Sequence, residues 1–286
     1  MQDEPVSINP DTTPRSFPDG KPYQSASTRD IADAAKLHFG NDGRMAEIFA
    51  LTHQGIPERY ARNMQTFSSQ DQVALLNSRV CVVGLGGLGG AVTEMLARLG
   101  IGALTLVDGD VFEDSNLNRQ LLSALQWIGV SKVKTAEKRI REINPSVRTR
   151  IHEVFLDTLN GARLIKGANV VVDCLDNLKD RFILEKAAKV ANIPLVSAAI
   201  AGTYGQITTV FPEDSGLSLI YGPEDMIPTK GAEASLGTLP YTALLMASLE
   251  CSEVAKILLK RGSLLRNKLL VMDLMDNVME LLPLVP

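Results

Sequence analysis

From Arg79 onward, short continuous apolar runs alternate with stretches whose apolar positions recur at helical spacing. Val80, Cys81, Val82 and Val83 form the first run, which stops at Gly84 in a glycine-rich turn. A helix over 91–99 comes next and closes at Gly100. Residues 104–107 form a second buried strand ending in Asp108. The spacing predicts a helix over 131–143, ended by Asn144-Pro145, because a residue before proline is pushed out of the α region. Strands over 148–154, 168–174 and 194–200, with a helix over 181–191, complete the alternation. Strands and helices alternating through short connections predict an α/β fold: a doubly wound, Rossmann-like sheet, mostly parallel, with helices on both faces. The last third reads differently. Residues 206–211 are strand-like, 213–235 form a Pro/Gly/Asp-rich loop, and a long apolar helix runs through 239–259 towards Gly262. Alternation over 268–282 predicts antiparallel C-terminal strands, so the sheet is expected to turn mixed.

Ahead of this region, 27–78 has the pattern of N-terminal helices. Ser27 or Thr28 can cap a helix carrying Ile31, Ala34, Ala35 and Leu37 and stopping near Gly40; a second spans 45–51 and Pro57 breaks the pattern. A basic, amphipathic stretch over 59–67 leads into the main domain. Residues 1–26 hold Pro5, Pro10, Pro14, Pro18 and Pro22 among polar residues and are expected to form a disordered arm.

Composition narrows the field. In 286 residues, 45% are hydrophobic and the formal charge is −4, which argues against a dedicated nucleic-acid binder. The polar, proline-containing N-terminus does not read as a signal peptide, and the apolar helix is broken by Glu250, Glu253 and Lys256, so no membrane span is expected. Three scattered cysteines, Cys81, Cys174 and Cys251, exclude a disulfide framework and a four-cysteine zinc site and fit the cytoplasm. Each reads as a packing residue. His38, His53 and His152 are equally scattered and suggest no metal site.

The chemistry concentrates in three places. Gly84-Leu85-Gly86-Gly87-Leu88-Gly89 is a GxGxxG between a strand and a helix, where a tight turn brings phosphate to the helix N-terminus. Asp108 ends the next strand, where an acid grips ribose hydroxyls. These two features specify a nucleotide but not which one, and NAD is the default. The residues beyond Asp108 favour phosphoryl chemistry instead. Asp110, Asn116, Arg119 and Gln120 come in quick succession, and Lys132 opens the next helix, supplying cations for an α-phosphate. The next buried strand ends in Asp173-Cys174-Leu175-Asp176-Asn177; one carboxylate there can hold Mg²⁺. Asp110 and Asp173 can equally serve as loop caps, and Glu113 is read as one.

The set GLGGLG, VDGD, NLNRQ, SKV and DCLDN, in this order, resembles the ThiF/MoeB/HesA adenylyltransferases, bacterial relatives of ubiquitin-activating enzymes. The resemblance runs from about Tyr60 to the end and implies that 79–286 is an ATP-binding adenylyltransferase domain. It implies adenylation of the C-terminal Gly-Gly carboxylate of a ubiquitin-like sulfur-carrier protein, with release of pyrophosphate, in a homodimer. It places Gly84, Gly86, Gly87, Gly89 and Asp108 on the nucleotide, with Asp110, Gln120 and Asn177 nearby. Asn116, Arg119 and Lys132 surround the phosphates, and Asp176 becomes the Mg²⁺ ligand. Arg62, in Tyr60-Ala61-Arg62-Asn63, matches a YxRQ segment whose Arg reaches the partner subunit's ATP; Asn63 departs from the usual Gln.

Two further departures matter. The paired CxxC motifs that hold zinc in many members are missing, so no zinc is expected. No cysteine lies between Pro212 and Tyr241, so adenylation without covalent carrier transfer is expected. The carrier's tail is expected to thread under the loop 213–233, which has little intrinsic structure and would order on binding. A carrier-binding scaffold without catalysis and an NAD-dependent oxidoreductase are the competing readings.

Overall fold

A computed structural model describes residues 12–223, 226 and 231–285. The N-terminal module comprises β1 (Thr13–Ser16), β2 (Pro22–Ala26), α1 (Thr28–His38), α2 (Gly43–Thr52) and β3 (Gly55–Pro57). The expectation of a disordered arm over 1–26 fails for 12–26. Gly20 takes a left-handed turn (φ 85°), β1 and β2 pair antiparallel around it, and β2 pairs parallel with β3. The prolines are compatible with this because β1 is an edge strand and Pro22 opens β2. Residues 1–11 lie outside the described residues. Ser27 caps α1 with a capping box through Asp30.

The main sheet has eight strands: β4 (Arg79–Val83), β5 (Ala103–Val107), β6 (Arg148–His152), β7 (Val170–Asp173), β8 (Leu195–Ala201), β9 (Tyr204–Val210), β10 (Lys268–Asp273) and β11 (Val278–Pro283). Their order is β11-β10-β9-β8-β7-β4-β5-β6. Pairing is parallel from β8 to β6 and antiparallel from β8 to β11. The chain winds outward from β4 through β5 to β6, then returns to place β7 on the other side of β4. That reversal opens a crevice at the carboxyl ends of β4 and β7, where ligands bind in doubly wound sheets.

Helices cover both faces. On one side, α3 (Ser69–Leu76), α4 (Gly87–Leu99), α5 (Lys132–Ile143) and α10 (Pro240–Leu259) bury the larger apolar core with Val80, Val82, Leu104, Val172, Val196 and Ile207. On the other, α6 (Gly161–Leu164) and α7 (Leu178–Ala191) cover Cys81, Val83, Val171 and Leu195. The observed α4 starts at Gly87, four residues before the helix read from the sequence. Three of the four residues of its first turn are glycines, which carry no apolar periodicity.

The loop 213–233 is more ordered at its start than its composition suggests. Leu217 is buried in the second core, Arg266 bonds Asp214 at 3.0 Å, and α8 (Ser218–Tyr221) comes next. Its far end joins α9 (Glu233–Leu236). No helix among the described residues is long and apolar enough to cross a membrane.

Candidate nucleotide-binding site

A cavity of about 780 Å³ opens over the crevice. Its floor is the turn after β4, and its walls come from the segments after β5, β6 and β7 and from the end of β8. Gly84 has φ 88°, and a Cβ on it would lie 2.6 Å from the Cys174 carbonyl oxygen, so only glycine fits. A Cβ on Gly89 would lie 1.8 Å from the Gly84 carbonyl. Gly89 therefore lets α4 approach the turn and does not itself line the cavity, while Gly84, Gly86 and Gly87 do.

Asp108 buttresses that turn. Its carboxylate accepts from the Leu85 backbone N–H at 2.6 Å and from the Asp110 N–H at 2.7 Å. Burial pushes its carboxyl above the usual range, against the pull of nearby Lys132 and the two N–H donors. Lys132 is buried at the start of α5, and its Nζ bonds Asp110 Oδ2 at 2.9 Å. Asp110 is exposed, so an incoming polyanion can compete with it for the ammonium. Arg119 lies along Gly87, its stem 3.5 Å from where a Cβ would be. Its guanidinium donates to the Ser115 carbonyl at 3.0 Å and to Asn118 Oδ1 at 2.8 Å. Gln120 is buried beside it, and its Oε1 has no hydrogen-bond partner among the described residues. That leaves an acceptor free for a donor from outside the chain.

Asp176 and Asn177 close the opposite wall. Asn177 caps α7, accepting from the Asp180 N–H at 2.9 Å, and Asp176 is exposed at the cavity. Among the described residues no cluster of three or more His, Cys, Asp or Glu is placed to hold a metal. A lone hard carboxylate nevertheless suits Mg²⁺, which takes one or two protein oxygens and completes its shell with phosphate and water.

Ten of the sequence candidates thus meet at one cavity: Gly84, Gly86, Gly87, Asp108, Asp110, Arg119, Gln120, Lys132, Asp176 and Asn177. Asn116 does not. It is buried, and its Oδ1 accepts from the Glu113 N–H at 3.1 Å, capping the short turn that delivers Arg119. A small amide before a turn reads the same whether it caps or binds. Arg62 does not line this cavity either and is exposed elsewhere. Asp173 takes the structural alternative: fully buried, it accepts from Arg181 Nη1 at 3.0 Å and Ser197 Oγ at 2.6 Å.

Several contributors escaped the sequence. Arg181, read only as the start of a helix, is buried under the cavity and also donates to the Ala198 carbonyl at 2.6 Å. Its spacing of eight residues from Asp173 gave a usable signal, since a charge in an apolar helix face needs a partner. Glu250 of α10 is fully buried, with Cys174 Sγ 3.8 and 3.9 Å from its oxygens. Burial first, then the Asp173 charge, push its carboxyl well up. Burial likewise raises the thiols, Cys81 to about 12, so none of the three cysteines is a poised nucleophile. Val154, Phe155 and Leu156 add an apolar wall after β6; Phe155 packs where Gly109 carries no side chain. Tyr204, Gln206 and Val271 extend the cavity onto the antiparallel strands.

A family model described as the ThiF family matches residues 60–285. The SAMP-activating enzyme E1 of Haloferax volcanii is 36% identical over 231 residues, covering 79% of this chain and 84% of that protein. A probable adenylyltransferase/sulfurtransferase MoeZ of Mycobacterium tuberculosis is 34% identical, covering 76% of this chain and 57% of its own length. The adenylyltransferase and sulfurtransferase MOCS3 of Drosophila sechellia is 33% identical; this chain spans 48% of its length. Among solved structures, E. coli MccB with MccA-N7isoASN superposes with a TM-score of 0.69 at 22% identity, covering 79% of this chain and 72% of that one. E. coli TcdA in complex with ATP superposes with a TM-score of 0.60 at 22% identity, covering 71% and 94%. These two likenesses establish the shared fold.

Proposed function

The chain belongs to the ThiF family and is an adenylyltransferase, and from that premise we propose that it uses ATP and Mg²⁺ to adenylate the C-terminal Gly-Gly carboxylate of a ubiquitin-like sulfur carrier. The observation that carries this reading is the convergence of Gly84, Gly86, Asp108, Arg119 and Lys132 from separate strand ends at one cavity. The cavity is continuous with Ala199, Tyr204, Gln206 and Val271, which gives an extended peptide tail a course beside the nucleotide.

The triphosphate lies over the glycine turn, Asp108 takes the ribose, and the base rests on the wall of Val154, Phe155 and Leu156. Asp176 holds Mg²⁺, which supplies countercharge to the phosphates. A carboxylate oxygen of the tail bonds to the α-phosphorus, the bond from that phosphorus to the bridging oxygen breaks, and pyrophosphate leaves. Arg119 and Lys132 stabilise the charge that builds on the α-phosphate, Lys132 exchanging Asp110 for phosphate oxygens. No protein nucleophile takes part; the catalysis is positioning and electrostatics. Without a thiol in 213–240, the adenylate is handed on rather than captured covalently. The carrier belongs to molybdopterin-, tungstopterin- or thiamine-type sulfur transfer in the cytoplasm, and structural zinc plays no part.

The working unit is a homodimer in which Arg62 reaches the partner's nucleotide. Its exposure away from its own cavity supports this, as do the exposed apolar side chains Leu117, Leu121 and Leu125 flanking Arg119. The test is pyrophosphate exchange into ATP with candidate Gly-Gly-ending carriers. Carrier-dependent exchange that an Arg119→Ala variant loses is expected. ATP binding without exchange for any carrier would replace this reading with the scaffold.

A further inference from the structure

The residues ahead of Tyr60 lie outside the stretch that the ThiF model matches, yet they are built onto the segment that presents Arg62. β2 runs beside β3 with Gln24 opposite Gly55, Ser25 opposite Ile56 and Ala26 opposite Pro57. Glu58 is the first residue beyond β3. Its Oε2 accepts from Tyr23 Oη at 3.1 Å and from the Ser25 hydroxyl, and Arg15 Nη1 lies 3.7 Å from Oε1. Tyr23 is itself stacked on Phe17 across the hairpin, with centroids 4.3 Å apart.

The next two side chains are anchored to the main domain. Arg59 donates to the Ile143 carbonyl at 3.1 Å and lies 3.3 Å from Glu47 Oε1. Tyr60 is fully buried: its hydroxyl donates to Glu47 Oε2 at 3.0 Å and accepts from Asn144 Nδ2 at 2.9 Å. The turn then continues, with the Asn63 N–H bonding the Tyr60 carbonyl at 2.8 Å. Arg62 stands on this base exposed, and no hydrogen bond or ion pair holds its guanidinium among the described residues. Three consecutive residues, 58 to 60, are thus clamped while the guanidinium two positions on is held by none of these contacts. A planar five-donor fork on a fixed backbone is a suitable arrangement for meeting a phosphate from outside the chain.

We infer that the β1–β2 hairpin is a positioning device for Arg62: by gripping Glu58 through Tyr23 and Ser25, it aims Arg62 at the nucleotide phosphates of a second copy of the chain. This rests on the adenylation reading and on Arg62 acting across the dimer. Glu58, Tyr23 and Ser25 are positioning residues, because they touch neither substrate nor reacting atoms.

The experiment uses the full chain. Tyr23→Phe with Ser25→Ala removes both hydroxyl donors to Glu58 while keeping the hairpin's apolar contacts, and Glu58→Ala, which removes their acceptor, is the second variant. Each is measured by carrier-dependent pyrophosphate exchange in the parent and in an Arg62→Ala background. In the parent, Arg62→Ala is expected to lower kcat at least ~10-fold and the hairpin variants ~3–10-fold, as loss of one or two hydrogen bonds predicts, with the KM for ATP changed less than ~2-fold. In the Arg62→Ala background the hairpin variants should change nothing further, since they act through the side chain already removed. Equal losses in both backgrounds, or none in the parent, would overturn the inference. Mixing Arg62→Ala with Arg119→Ala subunits should restore exchange by rebuilding one site from two chains; loss without restoration would place Arg62 in its own site and overturn the trans assignment. If Arg62→Ala itself leaves exchange intact, Arg62 has no role and the inference falls alone. If the unmutated chain shows no exchange, the adenylation reading falls and takes the inference with it.

Discussion

The parallel and antiparallel halves of the sheet meet the same cavity in different ways. Each of β4, β5 and β7 ends there in a short motif: the glycine turn, Asp108-Gly109-Asp110, and the Asp173 to Asn177 segment. Charges there are closed on one another, Arg181 on Asp173 beneath the motifs and Lys132 on the exposed Asp110 within one of them. The antiparallel half, β9 to β11, brings single side chains such as Tyr204, Gln206 and Val271, and its outer strand exposes Val278, Met279, Leu281 and Leu282. Phosphate recognition needs several donors from fixed backbone, which favours contiguous motifs. Recognition of a protein acceptor needs only a shaped face. Damage to the parallel half should therefore affect every reaction of the protein, whereas damage to the antiparallel half should affect only the acceptor.

The largest effect should come from Arg181→Met, which would test whether the parallel half is a scaffold as well as a site. Removing one member of a buried ion pair leaves Asp173 uncompensated at zero exposure, a loss of about 3–5 kcal/mol. Denaturant melts should show it with or without nucleotide. A loss below ~1 kcal/mol would mean that Asp173 is satisfied by Ser197 and the Leu175 N–H alone.

Next in size is Arg119→Ala. Removal of a preorganised donor at developing charge lowers turnover by about 10²–10³-fold. Stability should be nearly unchanged, because among the described residues the guanidinium bonds the local Ser115 carbonyl and Asn118 amide alone. Exchange assays beside thermal melts separate the two quantities, and a matching loss of stability would erase the distinction between Arg119 and Arg181.

Tyr204→Ala probes the other half. The ring is half exposed at the cavity rim, with Asp273 beside it. Truncating an aromatic at a docking face is expected to cost about 1 kcal/mol, a carrier KM raised ~5-fold. ATP affinity should stay within ~2-fold. A weakened ATP site would show that the two halves are not separable.

The same contrast explains what the sequence made readable. The parallel half was legible because a strand of apolar residues followed by glycines or an acid is a local signal with a local cause. Seven of the ten candidates at the cavity sit in such motifs, and Arg119, Gln120 and Lys132 come from the connection between β5 and the start of α5. Asn116 and Gly89 were placed on the nucleotide because capping and close packing use the same residue types as binding. Glu250 and Phe155 went unread because their roles depend on partners 76 and 46 residues away, which no local pattern reveals, whereas Arg181 had a signal eight residues back in Asp173 that its place in a helix masked. The N-terminal hairpin was missed for a related reason: prolines at its edges look like disorder until β3 supplies a neighbour.

The smallest predicted effect lies where the halves join. Glu250 sits on α10, which packs against β7, β8 and β9. It faces Cys174 at the end of β7, and Asp173 and Arg181 also act on it. Burial and the Asp173 charge raise its carboxyl and outweigh Arg181, so the folded protein favours the neutral form. In the unfolded chain the group ionises from its ordinary value of 4.5, while in the folded chain it holds its proton to higher pH. The stability it contributes is therefore complete below pH 4.5 and declines as pH rises towards the folded value. Glu250→Gln keeps the shape and a neutral polar group but cannot ionise. It should raise the melting temperature at pH 8 by about 2–4 °C, roughly 1 kcal/mol for a chain of this size, and the advantage should vanish at pH 4. Exchange with the carrier should be unchanged at either pH where the protein is folded. A gain that does not depend on pH would mean that Gln packs better rather than that a proton is being held, and the junction would then be ordinary core.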